Sequence, residues 1–584
     1  MTITQFEKIT QLRHLMKQHN IDAYLIPQSD KYQNEYPPPC YRRLEWLTSF
    51  TGSAGFAIVT DDQAVVMSDG RYTIQLENEV DQGLYALGNS QETTMQAWLN
   101  NNAKGKIVGF DPQLYSVQHI KTLKQHDIDL SPIDGNLIDA IWVDRPDIPA
   151  MPVSLFPENY AGQSAADKIH AIQGYLRDHN HDAMLVTSLD SIAWLLNIRG
   201  NDIDYVPVSL SYLLLPQKGK AQWFIDLDKI SQPVHNALSH YVDFFELGDI
   251  RSVLGELGEH PGKLAIDPAS CPYAFDQLAR LSGINVTPQS DPIILKRACK
   301  NNIEQNAMRQ AHMRDGVALV RFMKWLEHSD VNALDELKIE EKLEGFRAQA
   351  PEFKEPSFNT IAGFASHGAI VHYRATSQSN KNLSNGHLLL LDSGAQYCDG
   401  TTDVTRTFAI GTPTNEMIKH YTLVLKGHIA VSKAIFDTDT TGKEIDALAR
   451  APLQEHGLDY AHGTGHGVGC YLSVHEQATS ISPREEKTFH PGMIISNEPG
   501  YYKTGAYGIR IENLVIVQNY DADQLLFETI TLAPYERTLI DIDLLTMDEK
   551  DWINAYHQKV FDSLSPLLDD DHVAWLQQKT APIK

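Results

Sequence analysis

The chain has 584 residues, too many for one hydrophobic core, and should divide into about three domains of ordinary size. Its formal net charge of −26, from 49 Lys and Arg against 75 Asp and Glu, argues against nucleic acid or anionic membrane held by a basic face. Hydrophobic content of 42% and charged content of 21% are ordinary for a globular protein, and no apolar run approaches the ~18 residues of a membrane span.

The opening stretch MTITQFEKITQLRHLMKQ has no apolar leader core. The five cysteines, Cys40, Cys271, Cys299, Cys398 and Cys470, are odd in number and scattered, which suits free thiols in a reducing compartment. A cytoplasmic location is the expectation. The first half holds a repeat: HNIDAYLIPQSD around Asp22 returns as HNHDAMLVTSLD around Asp182. Each copy follows a segment with helical spacing, ITQLRHLMKQ or IHAIQGYLRD, and leads to a Trp-centred stretch, LEWLTSFTGS or IAWLLNIRGN. Two related α/β domains in tandem account for this, 1–157 and 158–300, with the Pro-rich DRPDIPAMPVSLFPEN at their boundary. A strongly helical stretch, NNIEQNAMRQAHMRDGVALVRFMKWLEH, then opens a third domain, 301–584. Short apolar runs and Gly-rich turns follow it, which predicts an α+β domain with a curved antiparallel sheet.

That last domain carries the chemistry. LLLLDSGAQYCDGTTDVTRTF, HGTGHGVG, NEPGYY and GIRIEN supply Asp392, Asp403, His466, Glu498 and Glu512 as candidate metal ligands. Four carboxylates and one imidazole suit hard divalent ions such as manganese or magnesium better than a lone zinc. Around one ion they would be overcharged; shared between two they approach neutrality, and a hydrolase is expected. Asp392 ends a buried apolar run. In TTDVTRTF, period-two alternation sends Val404 and Phe408 to one face and Asp403, Thr405 and Thr407 to the other. In GIRIEN it places Arg510 and Glu512 opposite Ile509 and Ile511, with Arg510 either anchoring a ligand or clamping substrate. The glycines of HGTGHGVG disfavour a helix, so His466 is read as a ligand on a loop or strand end, with His462 nearer the substrate. His372 and His475 flank the ligands as further candidates. Asp399, in a DG dipeptide, is read as a turn residue.

The ordered ligand set resembles the creatinase/methionine aminopeptidase superfamily, whose catalytic domain has the pita-bread fold. More narrowly, the tandem N-terminal domains, the strings DGTTDVTRT, HGTGHGVG and YGIRIEN, and the tail MDEKDWINAYHQ…WLQQKTAPI are similar to the three-domain, cytosolic type of Xaa-Pro aminopeptidase, the aminopeptidase P family. The similarity runs along nearly the whole chain, with no departure at the five ligand positions. It implies two creatinase-type α/β domains followed by a pita-bread domain, and a homodimer. It also implies peptides with proline in second position as substrates, cut after the first residue by a hydroxide bridging two Mn²⁺ ions (Co²⁺ or Zn²⁺ being the alternatives). Asp403 and Glu512 would bridge the ions, Asp392 completing one shell, His466 and Glu498 the other. Glu498 would be the general base. His475 would stabilise the oxyanion, and His372, His462 and Arg510 would shape the proline pocket. A prolidase shares all five ligands but normally has one N-terminal domain, so the tandem repeat counts against it. Metal-free pita-bread binding modules have lost the ligands that stand here.

Overall fold

The computed structural model describes residues 3–126, 128–257 and 262–584. The chain divides into two compact units, residues 1–158 with 163–293 and residues 159–162 with 294–584.

In the first unit the sequence repeat becomes a structural one. The helices Gln5–Gln18 and Ala165–Asp178 are capped by Thr4 and Ser164, whose hydroxyls accept the amides of Glu7 and Asp167. Each helix is followed by an asparagine in the left-handed region, Asn20 (φ 53°) and Asn180 (φ 58°), a conformation that Asn tolerates better than most residues. Two residues on, Asp22 accepts the Ile107 amide and Asp182 the Lys263 amide, both at 2.8 Å. Each aspartate thus pins the start of a parallel neighbouring strand, which explains why His-Asn-X-Asp recurs.

Two six-stranded mixed sheets result. One runs Ala86–Asn89, Ala64–Ser68, Phe56–Thr60, Ala23–Pro27, Ile107–Phe110, Asp129–Pro132; the other runs Val242–Phe245, Ala221–Ile225, Ser211–Pro216, Ala183–Val186, Lys263–Ile266, Asn285–Pro288. Counted from the outer edge, both have the pairings parallel, antiparallel, antiparallel, parallel, parallel. Along Ala23–Pro27, Tyr24 and Ile26 feed one apolar cluster and Ala23 and Leu25 another, so the sheet is covered on both faces.

The second unit opens with the helix Asn302–His328, started by a reciprocal capping box between Asn301 and Glu304. Every strand pairing in this unit is antiparallel. A three-stranded sheet orders Ile361–Phe364, His387–Ser393, Val404–Ile410. A six-stranded one orders Ile435–Asp437, Gln524–Thr529, Asn513–Asn519, Ile494–Asn497, Gly465–Gly467, Glu476–Ile481. The shared core takes Val404 and Phe408 from one strand, Ile509 from the strand Tyr507–Arg510 and Ile511 from just after it, the faces that alternation predicts. The tail helices Met547–Leu564 and Asp570–Lys579 pack on it through Ile553, Val560, Leu564, Trp575 and Leu576. The expected class, tandem α/β domains and then an antiparallel α+β domain, is the one observed. No helix among the described residues is long and apolar enough to cross a membrane, and none of the five cysteines is joined in a disulfide.

Candidate metal centre

Five acidic or imidazole side chains arrive at one locus because strand ends converge there. Asp392 is next to last in His387–Ser393, opposite Thr405 of the neighbouring strand. Asp403 immediately precedes that neighbour, Val404–Ile410. His466 is the middle residue of Gly465–Gly467, and Glu498 follows Ile494–Asn497. Glu512 lies between Tyr507–Arg510 and Asn513–Asn519. One ligand atom each of Asp403, His466 and Glu512 falls within 4.8 Å of the others. The His466 Nε2 is 3.5 Å from Asp403 Oδ2 and 3.4 Å from Glu498 Oε1. Asp392 joins through Arg510, whose Nη2 donates to its Oδ2 at 2.5 Å. Asp392, Asp403 and Glu512 are 8%, 4% and 1% exposed, so the charges are held out of water.

Protein groups alone leave this site unsatisfied. Asp392 Oδ1 and Glu512 Oε1 are buried and accept no hydrogen bond. Burial, reinforced by the Asp403 charge and opposed by Arg510, raises the Asp392 carboxyl. Burial and then the charges of Asp403, Glu498 and Asp392 raise Glu512 well above the carboxylate range. Burial also lifts Glu498 to about 7, against the pull of His466 and Arg510. For His466 burial acts downward, but the hydrogen bond to Asp403 and the charges of Glu498 and Asp403 outweigh it and give about 9. Crowded, dry carboxylates with bare oxygens are costly until a cation takes the place of the missing donors. The donor set is oxygen-rich, which fits hard divalent ions. The imidazole is preset for the role: Nδ1 faces the Gly467 carbonyl at 2.9 Å, which turns Nε2 toward the acids.

Around this cluster, Arg510 is 1% exposed and donates to the Tyr502 hydroxyl at 2.6 Å and to the Val371 carbonyl at 3.4 Å, besides Asp392. It holds Asp392; at the same time its Tyr502 partner meets His462 Nε2 at 2.8 Å, so His462 reaches the cluster indirectly. The His475 ring packs edge-on to His466 with centroids 4.4 Å apart. His372 is half-buried in the turn after the 3-10 segment Ala365–Ala369, next to the Val371 carbonyl that Arg510 holds.

Sequence reasoning placed Thr405 beside Asp403 without giving it a role, and missed Ser496 and Arg406. Thr405 donates to Glu512 Oε2 at 2.8 Å, and Ser496 donates to Glu498 Oε1 at 3.1 Å while accepting the His466 amide. Arg406, fully buried, donates to the carbonyls of Thr405 and Glu512 and to the Asn513 side chain, tying two ligand-bearing strands together by their backbones. A charged residue on the apolar face of Val404 and Phe408 was the visible signal. Asp399 does sit in a turn, but it is 5% exposed and paired with the Arg314 guanidinium, so a turn role alone understates it.

Comparison with known families agrees with this arrangement. The profile of metallopeptidase family M24 matches residues 306–519 and the C-terminal region of peptidase M24 matches 523–583. The creatinase/prolidase N-terminal domain matches twice, at 8–141 and 144–304. The chain belongs to metallopeptidase family M24, and so to the hydrolases. Within it, relatives that align end to end include probable Xaa-Pro aminopeptidases P. One is a probable Xaa-Pro aminopeptidase P of Neurospora crassa, 39% identical over 617 aligned residues, with 100% of this chain and 90% of that one covered. Another, from Neosartorya fischeri, is 39% identical over 615, covering 100% and 93%. Among solved structures, the X-prolyl aminopeptidase of Caenorhabditis elegans, described as a cytosolic enzyme with a di-nuclear active site, superposes with TM-score 0.95 at 33% identity over both whole chains. The Xaa-Pro dipeptidase of Bacillus anthracis, 24% identical with TM-score 0.53, covers 64% of this chain and shares the fold.

Proposed function

We propose that the chain is an aminopeptidase that hydrolyses the N-terminal X-Pro bond of peptides and releases the first residue. The observation that carries this reading is the buried ligand set with its bare carboxylate oxygens, in a chain that aligns end to end with Xaa-Pro aminopeptidases P. Asp392, Asp403, His466, Glu498 and Glu512 would hold two divalent ions, Mn²⁺ or another such as Co²⁺ or Zn²⁺. When bound, such ions act as Lewis acids and lower the pKa of water so that a nucleophile exists near neutral pH.

The chain's own groups do the rest. Glu498, steadied by Ser496, takes the proton of the attacking water and returns it to the departing prolyl nitrogen. His475, beside His466, donates to the substrate carbonyl oxygen as it becomes an oxyanion. Arg510, Tyr502, His462 and His372 form the wall on the proline side. An X-Pro bond offers no N–H, so an enzyme that accepts it must recognise ring shape instead. One carboxylate of the metal site would meet the free α-amine of the substrate. The reading takes 1–157 and 158–300 as two creatinase-type domains and 301–584 as the catalytic one, in a cytoplasmic homodimer.

A panel of X-Pro, X-Pro-Y, X-Ala-Y and acetyl-X-Pro-Y peptides with Mn²⁺ tests it. X-Pro-Y should be cut at X-Pro, and acetylation should abolish cleavage. Dipeptides turned over tenfold better, about 1.4 kcal/mol, would make the chain a prolidase. Full turnover after chelation, verified by elemental analysis, would remove the metal from the mechanism.

A further inference from the structure

Between Phe364 and His387 the catalytic unit runs through more than twenty residues with no strand, only the 3-10 segment Ala365–Ala369. This is the segment that carries His372. Near its end the amides of Leu383 and Gly386 donate to the Leu334 and Ile410 carbonyls, but the earlier part has no ladder, and much of it is buried, including Gly368, Ala369, Val371 and Tyr373. What holds it is a carboxylate from outside the segment. Glu336 is the first residue of the helix Glu336–Arg347 and is 0% exposed. Its Oε1 accepts the Phe364 amide at 2.9 Å and meets His367 Nδ1 at 2.8 Å. Its Oε2 accepts the Tyr373 hydroxyl and the Lys381 amide, each at 2.9 Å. Three of the four partners belong to the His372-bearing segment, and the fourth, Phe364, is the strand residue that leads into it. They bracket it: one at its start, one near its end, and two side chains that stack on each other with ring centroids 4.3 Å apart.

The opposite side of the segment is held by the strand of the metal centre. A Cβ on Gly508 would lie 1.7 Å from the Gly368 carbonyl oxygen, so the two backbones touch where only glycine fits. Arg510, two residues on, holds the Val371 carbonyl. The segment therefore hangs between Glu336 and the Tyr507–Arg510 strand, with His372 beside the second attachment.

We infer that Glu336 is a positioning residue, the buried hub that fixes the segment carrying His372 at the substrate side of the metal centre. It touches neither substrate nor ligand; it acts through His372. This deepens the proposed aminopeptidase reading and rests on it for the role of His372. A charged acceptor suits the task because two amides, a phenol and an imidazole converge on it, and hydrogen bonds to an ionised acceptor are about twice as strong as neutral ones. Glu336→Gln keeps the shape but presents an N–H₂ group to some of those donors.

The test is a double-mutant cycle with hydrogen exchange on the metal-loaded full chain. Glu336→Gln should lower kcat/KM on an X-Pro-Y peptide about tenfold or more with metal content unchanged. On a His372→Ala background the same change should cost less than about twofold, because the residue it positions is gone. The Phe364 and Lys381 amides should exchange about tenfold faster in Glu336→Gln. A general structural role predicts instead that the loss is the same on both backgrounds, and that result overturns the inference. Unchanged protection of the two amides overturns it as well, and needs no substrate, so it separates this failure from failure of the proposed activity. Should Glu336→Gln not accumulate folded, Tyr373→Phe removes one donor and no charge, and must show the same dependence on His372.

Discussion

The two units both bury paired charges, but they differ in how completely their buried acids are satisfied. In the first, Asp30 is fully buried and accepts the amides of Tyr32 and Asn34 and the Asn34 side chain. Asp202 accepts the ammonium of Lys229 at 2.8 Å and the Leu210 amide at 2.7 Å. Lys168 reaches the Trp194 carbonyl and the Asn197 side chain. In the second unit, Glu340 Oε1, Asp392 Oδ1 and Glu512 Oε1 are buried with no hydrogen bond, whereas no buried carboxylate oxygen in the first unit is so left among the described residues. Paired burial marks a scaffold. Unpaired acids at convergent strand ends mark a place prepared for cations, at a cost in stability before they arrive.

The sharpest way to break that contrast is Asp403→Ala. It removes a proposed ligand clustered with His466 and Glu512, so metal content should collapse and kcat/KM fall by at least about a thousandfold. Elemental analysis beside kinetics checks this; retention of metal with a small loss of rate would mean that the locus is an ordinary buried acid cluster. Lys229→Met is the matched change in the other unit. It leaves Asp202 buried without its cation and should cost about 3 kcal/mol in denaturant titration. Metal content and the kcat of the folded fraction should stay as in wild type. A fall in kcat comparable to that of Asp403→Ala would erase the distinction between scaffold and site.

How much of this could be read from residues alone depended on the range of the interactions. Period-two alternation placed Asp403, Thr405, Arg510 and Glu512 on the site face because a strand's side chains obey a local rule. The Asp22 and Asp182 repeat was visible because two copies of one unit keep the same local contacts. Arg406 and Tyr502 stayed hidden: their partners lie about a hundred residues away or across a hairpin, and no spacing rule connects them. Asp399 shows the same limit. The DG dipeptide announces the turn, but the Arg314 that neutralises the aspartate comes from the long helix Asn302–His328. Asp399→Asn should therefore cost about 1–2 kcal/mol of stability, discounted because Arg314 is partly exposed, and leave kcat/KM within about twofold. A loss of activity exceeding the loss of stability would make Asp399 part of the site.

Glu340 gives the smallest effect and the most discriminating one, because its Oε1 is bare in the second unit and no cation is expected to serve it. Burial first, and then the Glu336 charge, lift its carboxyl from 4.5 to about 8. Below pH 4.5 the folded and unfolded chains both keep this proton, and the group contributes nothing to the balance. Between 4.5 and 8 the unfolded chain loses the proton while the folded one retains it, so stability falls as pH rises. Above 8 both are ionised and the penalty is constant. Glu340→Gln removes the penalty while keeping an acceptor for the Ala362 amide, which contacts the carboxylate. The variant should match wild type near pH 4 and exceed it by about 1 kcal/mol at pH 8, a figure reduced from the full shift because the side chain is only half-buried. Denaturant midpoints of the chelated proteins across that range measure it. Equal stabilities at pH 8 would mean that Glu340 is satisfied in solution, and the tally of unpaired acids in this unit would then shrink to the metal ligands themselves.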